Sequence, residues 1–131
     1  MRVHENLRPL KLILAIGGGL AVLIGLSLIF FGTAFVPGAG TVSRTVDSEF
    51  RFYATLFVAY GGVLLWCLVG TAGKHRVIMV LAGVLFAGGL ARLCSMLAVG
   101  LPHPFFMAMT LLELALPPVM ILLLRREPGA V

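Results

Sequence analysis

The sequence predicts an all-α, polytopic membrane protein built as an antiparallel bundle of four transmembrane helices. Three observations carry that reading. Of 131 residues, 60% are hydrophobic and only 11% charged, where a soluble domain carries about a quarter charged residues, so lipid is the solvent for most of the chain. Apolar runs of the ~20 residues that carry a helix across a bilayer recur four times between short polar breaks. The lysines and arginines gather in those breaks, chiefly on one side. One domain over residues 1–131 is expected.

The net charge of +5 does not indicate nucleic acid, because the cations sit in short clusters beside apolar runs and form no basic stripe or recognition motif. Only Cys67 and Cys94 are present, each inside an apolar run and not spaced as a CxxC pair. A dithiol relay is therefore not expected.

The first span is expected over about 12–35, after a lead holding Arg2, Arg8, Pro9 and Lys11. A basic start before an apolar run resembles a signal peptide. This run exceeds the ~7–15 residues of a signal core, however, and reads as an uncleaved anchor. Gly17, Ala21 and Gly25 fall four apart, and Gly18, Gly25 and Gly32 seven apart, leaving a nearly bare backbone face for another helix to pack on.

Val36-Pro37-Gly38-Ala39-Gly40 stops that helix. The second span is expected over 48–70, with Asp47 or Ser48 as N-cap and Glu49 in the first turn, where negative charge suits the helix dipole. Gly70 to Arg76 forms a tight basic turn before the third span, 77–99, in which Gly83, Ala87 and Ala91 repeat at four. Leu101-Pro102-His103-Pro104 is a stiff turn, since each proline biases its predecessor away from helical angles. The fourth span, 105–124, closes on Arg125 and Arg126, and the last five residues are expected to fray.

Orientation follows from the basic residues. Arg2, Arg8, Lys11, Lys74, Arg76, Arg125 and Arg126 fall on one side and Arg44 and Arg51 on the other. By the positive-inside rule both termini are expected in the cytoplasm.

The remaining cation, Arg92, lies within the third span, and Glu113 within the fourth. Arg92 is eight residues before the turn at Gly100, ~12 Å of helix, and Glu113 is nine after Pro104, ~13–14 Å. Opposite charges at one depth on adjacent helices, with solitary ions in hydrocarbon as the alternative, are expected to pair facing the bundle interior. Pro117 and Pro118 remove the amides that would bond the carbonyls of Glu113 and Leu114, so a kink and two free acceptors are expected beside the acid.

Glu49, Arg51, Tyr53, Tyr60, Ser95 and His103 can approach the same half of the bundle. With Arg92 and Glu113 they make a candidate polar pocket for a small anionic amphiphile. The blander reading is that the ion pair fixes helix packing, Arg51 and Tyr53 are interfacial anchors, and His103 is a solvated turn residue. No nucleophile motif, metal-type histidine cluster or phosphate loop occurs, because the triple glycine at 17–19 lies inside an apolar helix. No catalytic residue, metal or cofactor is expected. An acid/base enzyme would rest on Glu113 and His103 alone.

Ser48-Glu49-Phe50-Arg51-Phe52-Tyr53, Arg92-Leu93-Cys94-Ser95, Leu101-Pro102-His103-Pro104 and Glu113-Leu114-Ala115-Leu116-Pro117-Pro118 resemble the small four-helix bacterial membrane proteins grouped as DUF4345. The resemblance covers spans two to four, span one matching in character only. It implies a four-helix fold in a bacterial membrane, and no activity. Expected partners are the lipid bilayer and another membrane protein or a second copy, with a lipid-like ligand as the alternative and no nucleic acid. The expected location is the bacterial inner membrane.

Overall fold

A computed structural model describes residues 8–71 and 73–126. The expected lead before Arg8 and the expected fraying of residues 127–131 lie outside the described residues. Four long helices account for nearly all of the rest: α1 (Arg8–Phe31), α2 (Arg44–Leu68), α3 (His75–Val99) and α4 (Pro104–Arg125), with a 3-10 turn, Gly32–Phe35, closing α1. Each of the four is long and apolar enough to cross a membrane. The fold is all-helical and has the proportions of a membrane protein.

The boundaries differ from expectation by four residues at the starts of both α1 and α2, and the difference at α2 changes the cap. That helix starts at Arg44, four residues before the expected start, and Ser43 is the cap, its side chain accepting from the Val46 amide. Asp47 is therefore a first-turn residue and not an N-cap. Serine satisfies an orphan amide as well as aspartate does, which frees the Asp47 carboxylate for contacts across the turn. At α4, Pro104 occupies the first helical turn, where its missing amide costs nothing. That helix continues through Pro117 and Pro118 to Arg125.

The chain divides into two compact units, Leu14–Val69 and Gly70 onward with the opening of α1 up to Ile13. In the first unit α1 and α2 form a hairpin whose seam is almost free of side chains. A Cβ at Gly18 would lie 2.9 Å from the Gly61 carbonyl oxygen, and one at Gly25 would lie 2.6 Å from Val58 Cγ2 and 3.0 Å from the Ala54 carbonyl oxygen. A Cβ at Gly32 would strike the Asp47 carboxylate and the Arg51 guanidinium. Each step of seven forward in α1, from 18 to 25 to 32, is thus a step of seven back in α2, from 61 to 54 to 47. Of the two spacings visible in α1, the structure puts the seven-residue one against α2. Gly25 belongs to both series and Ala21 is buried beside them. Gly17 is at the edge of the seam, its nearest neighbour being Leu64 Cδ1 at 3.9 Å.

In the second unit α3 packs against α4. The two helices meet closely at Gly89, where a Cβ would lie 2.9 Å from the Leu114 side chain and 3.2 Å from the Glu113 Cβ. Ile78, Ala82, Pro117 and Met120 are buried in the same unit. The small-residue face of α3 is different. Gly83, Ala87 and Ala91 are exposed, and a Cβ at Gly83 or Gly88 would meet nothing within 4 Å.

Candidate site: an arginine–glutamate pair between α3 and α4

Gly89 determines where the charges meet. Without a side chain there, α4 settles onto α3 at Glu113, and Arg92, three residues further along α3, lies on the same face one turn away. The Arg92 Nε–H donates to both carboxylate oxygens of Glu113, at 3.1 Å to Oε1 and 2.9 Å to Oε2. The guanidinium carbon stands 5.4 Å from the centroid of the Phe106 ring, within range of a cation–π attraction. Thr110, buried one turn before the acid, turns its hydroxyl back to the Phe106 carbonyl at 2.8 Å and so offers nothing to the pair.

The pair forms, but it is not buried as expected. The Arg92 side chain is 41% exposed and that of Glu113 12%. Their unequal lengths explain the difference. Glutamate reaches the helix groove and stops, whereas the arginine stem is longer, so only its Nε edge is held inside and the outer end of the guanidinium passes beyond the helix pair. That end carries Nη1 and Nη2, which donate to no acceptor among the described residues.

Arg51, the other arginine expected near the site, is held within its own unit. Its Nε–H donates to Asp47 Oδ2 at 2.8 Å, and Nη1 donates to the carbonyls of Ile29 at 2.6 Å and Phe30 at 3.2 Å. Asp47 Oδ1 accepts from both the amide and the hydroxyl of Thr33, at 2.8 and 2.9 Å. Those two carbonyls are among the last of α1 and lack helical partners, so the cation caps a helix end whose dipole favours positive charge. Gly32, at φ +61°, makes the turn that brings Thr33 to Asp47. This clasp was not anticipated. The four-residue spacing of Asp47 and Arg51 was the available signal, and the expected helix start at 48 concealed it.

Of the other candidates, Glu49, Tyr53 and Tyr60 share the unit of Arg51, while Ser95 and His103 share that of the ion pair. Glu49 is exposed, with no ion pair among the described residues. Tyr53 is exposed and meets Phe52 edge-on at 5.6 Å between centroids, and Tyr60 is half-buried. His103 caps α4, Nδ1 accepting from the Phe105 amide at 3.3 Å. Ser95 is exposed on α3, one turn beyond Arg92. Among the described residues no three His, Cys, Asp or Glu side chains gather as a metal site.

The family model described as "Domain of unknown function (DUF4345)" matches residues 9–124. The chain belongs to that family. The DUF4345 match takes in α1 as well as the three helices whose motifs suggested it, so the glycine seam of α1 and α2 and the ion pair of α3 and α4 both lie inside the family domain. No curated protein and no solved structure matches the chain.

Proposed function

We propose that this DUF4345 protein is a non-enzymatic subunit of the bacterial inner membrane, with both termini in the cytoplasm, that associates with itself or with a larger membrane complex. One observation carries the reading. The small residues of α1 lie against α2, whereas the equivalent stripe on α3, Gly83, Ala87 and Ala91, is exposed, and a Cβ at Gly83 would meet nothing within 4 Å. Helices associate in lipid through such stripes, because nothing but close backbone approach and hydrogen bonding favours one helix over acyl chains. The placement of the termini rests on the basic residues at 74, 76, 125 and 126. An acid/base enzyme would need an unpaired Glu113 beside His103, and Glu113 is held by Arg92.

The test is purification of the full chain in mild detergent, with sizing and identification of every co-purifying chain. Ala87→Leu with Ala91→Leu, which fills the stripe, should convert the assembly to monomer. Cys94, exposed on the same side of α3, supplies a second readout, since Cys67 is buried and silent. Oxidation in native membranes should trap Cys94 in a covalent species that the double variant loses. A solitary monomer in membranes and in detergent would refute the reading.

A further inference from the structure

We infer that Arg92 and Ser95 form a docking point for the phosphate of a membrane phospholipid on the exposed edge of α3. The inference does not depend on the assembly reading. Arg92 uses only its Nε–H on Glu113; its two NH2 groups have no acceptor among the described residues, and the side chain, which lies over the Phe106 ring, is 41% exposed. An arginine stem at this depth reaches the edge of the hydrocarbon core, where headgroup oxygens can accept from such donors.

Ser95 adds a second, independent donor. Serine and threonine inside apolar helices ordinarily bond back to a carbonyl of the preceding turn. Ser27, Thr55 and Thr110 all do so, to Leu23, Phe52 and Phe106. Ser95 does not: like Thr45 and Ser48 in the polar opening of α2 it is exposed and has no hydrogen bond among the described residues, but it lies within an apolar helix. It stands three residues from Arg92, and side chains at that spacing are neighbours on one helix face, ~5–6 Å apart at Cβ. A tetrahedral phosphate, with more than one oxygen to offer, can accept from both. A guanidinium is also the side chain best matched to it.

Depth selects a lipid over a soluble anion. The 25 residues of α3 make ~37 Å of helix against a ~30 Å hydrocarbon core. Each end then overhangs by ~3–4 Å, and Arg92, seven residues before Val99, starts ~7 Å inside the core. An arginine stem spans that distance. Ser95 is a further ~4–5 Å towards the surface, so the two donors mark a path along which a headgroup drawn slightly inward would sit, its acyl chains running towards the bilayer centre on the same side of α3, past Gly88 and exposed Val84. Arg51 offers no such site, being engaged by Asp47 and the α1 carbonyls.

The test is native mass spectrometry of the full chain released from nanodiscs containing phosphatidylglycerol, phosphatidylcholine and diacylglycerol of matched acyl composition. Wild type should retain a phospholipid, phosphatidylglycerol over phosphatidylcholine, and no diacylglycerol. Ser95→Ala, a surface change that leaves the ion pair intact, should lower retention about fivefold without altering thermal unfolding. Arg92→Lys, which keeps a cation for Glu113 but removes the outward NH2 pair, should lower it further. Millimolar inorganic phosphate should not displace the lipid. Equal retention of diacylglycerol, no loss in Ser95→Ala, displacement by free phosphate, or loss of a co-purifying protein chain in place of a lipid would each overturn the inference.

Discussion

Gly25→Ala, compared with Gly19→Ala, tests the α1–α2 seam with the smallest change that can be made to it. Both substitutions add one methyl to the same helix, six residues apart. At Gly19 the new Cβ meets nothing within 4 Å, so the only effect is the intrinsic preference of a helix for alanine, about 1 kcal/mol in favour of the variant. At Gly25 it arrives 2.6 Å from Val58 Cγ2, 3.0 Å from the Ala54 carbonyl oxygen and 3.1 Å from the Val58 amide nitrogen. The valine methyl can rotate, but the two backbone atoms cannot. Carbon contacts settle at about 3.5–4.0 Å, so the helices must part by roughly 0.5–1 Å, a gap that forfeits a quarter to a half of each contact along the seam. Overpacking of this kind costs about 1–3 kcal/mol. The preference for alanine is common to both sites and cancels, so the two variants should differ by about 1–3 kcal/mol, read as midpoints of reversible denaturation in mixed micelles. Equal midpoints would refute the account of α1 packing on α2 through bare backbone.

Two further predictions follow from the charged groups. Arg92→Leu leaves Glu113 without its partner and should destabilise by about 3–5 kcal/mol, while Arg92→Leu with Glu113→Leu should recover at least half of that loss; a double-mutant cycle in micelles measures the coupling, and a coupling near zero would mean that the 2.9 Å contact contributes nothing. Asp47→Ala removes the acceptor of two Thr33 donors and the anchor of Arg51, and should cost about 1–3 kcal/mol; proteolysis of the 36–43 loop should accelerate in parallel, and unchanged cleavage would show that the clasp does not hold the turn.

The architecture was legible because lipid imposes a simple rule. Backbone groups must be paired internally, so ~20-residue apolar runs become helices and the residues between them become turns. The Arg92–Glu113 contact was legible for a related reason, since helix rise fixes depth and two opposite ions at one depth have few other partners. Its exposure was not legible. That depends on how far an arginine stem outreaches a glutamate once Gly89 has set the helix separation, and on which nitrogen makes the bond. The Asp47–Arg51 clasp was missed for a different reason. Polar residues at a helix start look alike in sequence as caps, and the choice of Ser43 over Asp47 is made by tertiary contacts with Thr33 and the end of α1. The sequence also displayed two small-residue series in α1 without deciding between them, because selection needs the partner helix.

The seven-residue step that joins 18, 25 and 32 to 61, 54 and 47 also restricts how α1 and α2 can slide. A repeat of seven keeps one stripe facing its partner when two helices wind around each other left-handedly, whereas a repeat of four brings them together at a single crossing. Intermediate offsets would drive a methyl or a larger group into backbone, so the next register that again sets a glycine opposite a small residue lies a full seven residues away, ~10 Å along the axis. A shift of that size would carry Asp47 and Arg51 either past the end of α1 or back to the level of Gly25, and in both cases away from Thr33 and the α1 carbonyls they bond. The hairpin thus has one discrete register, and the vertical position of α2 relative to α1 is determined by the absence of side chains as much as by any bond between them.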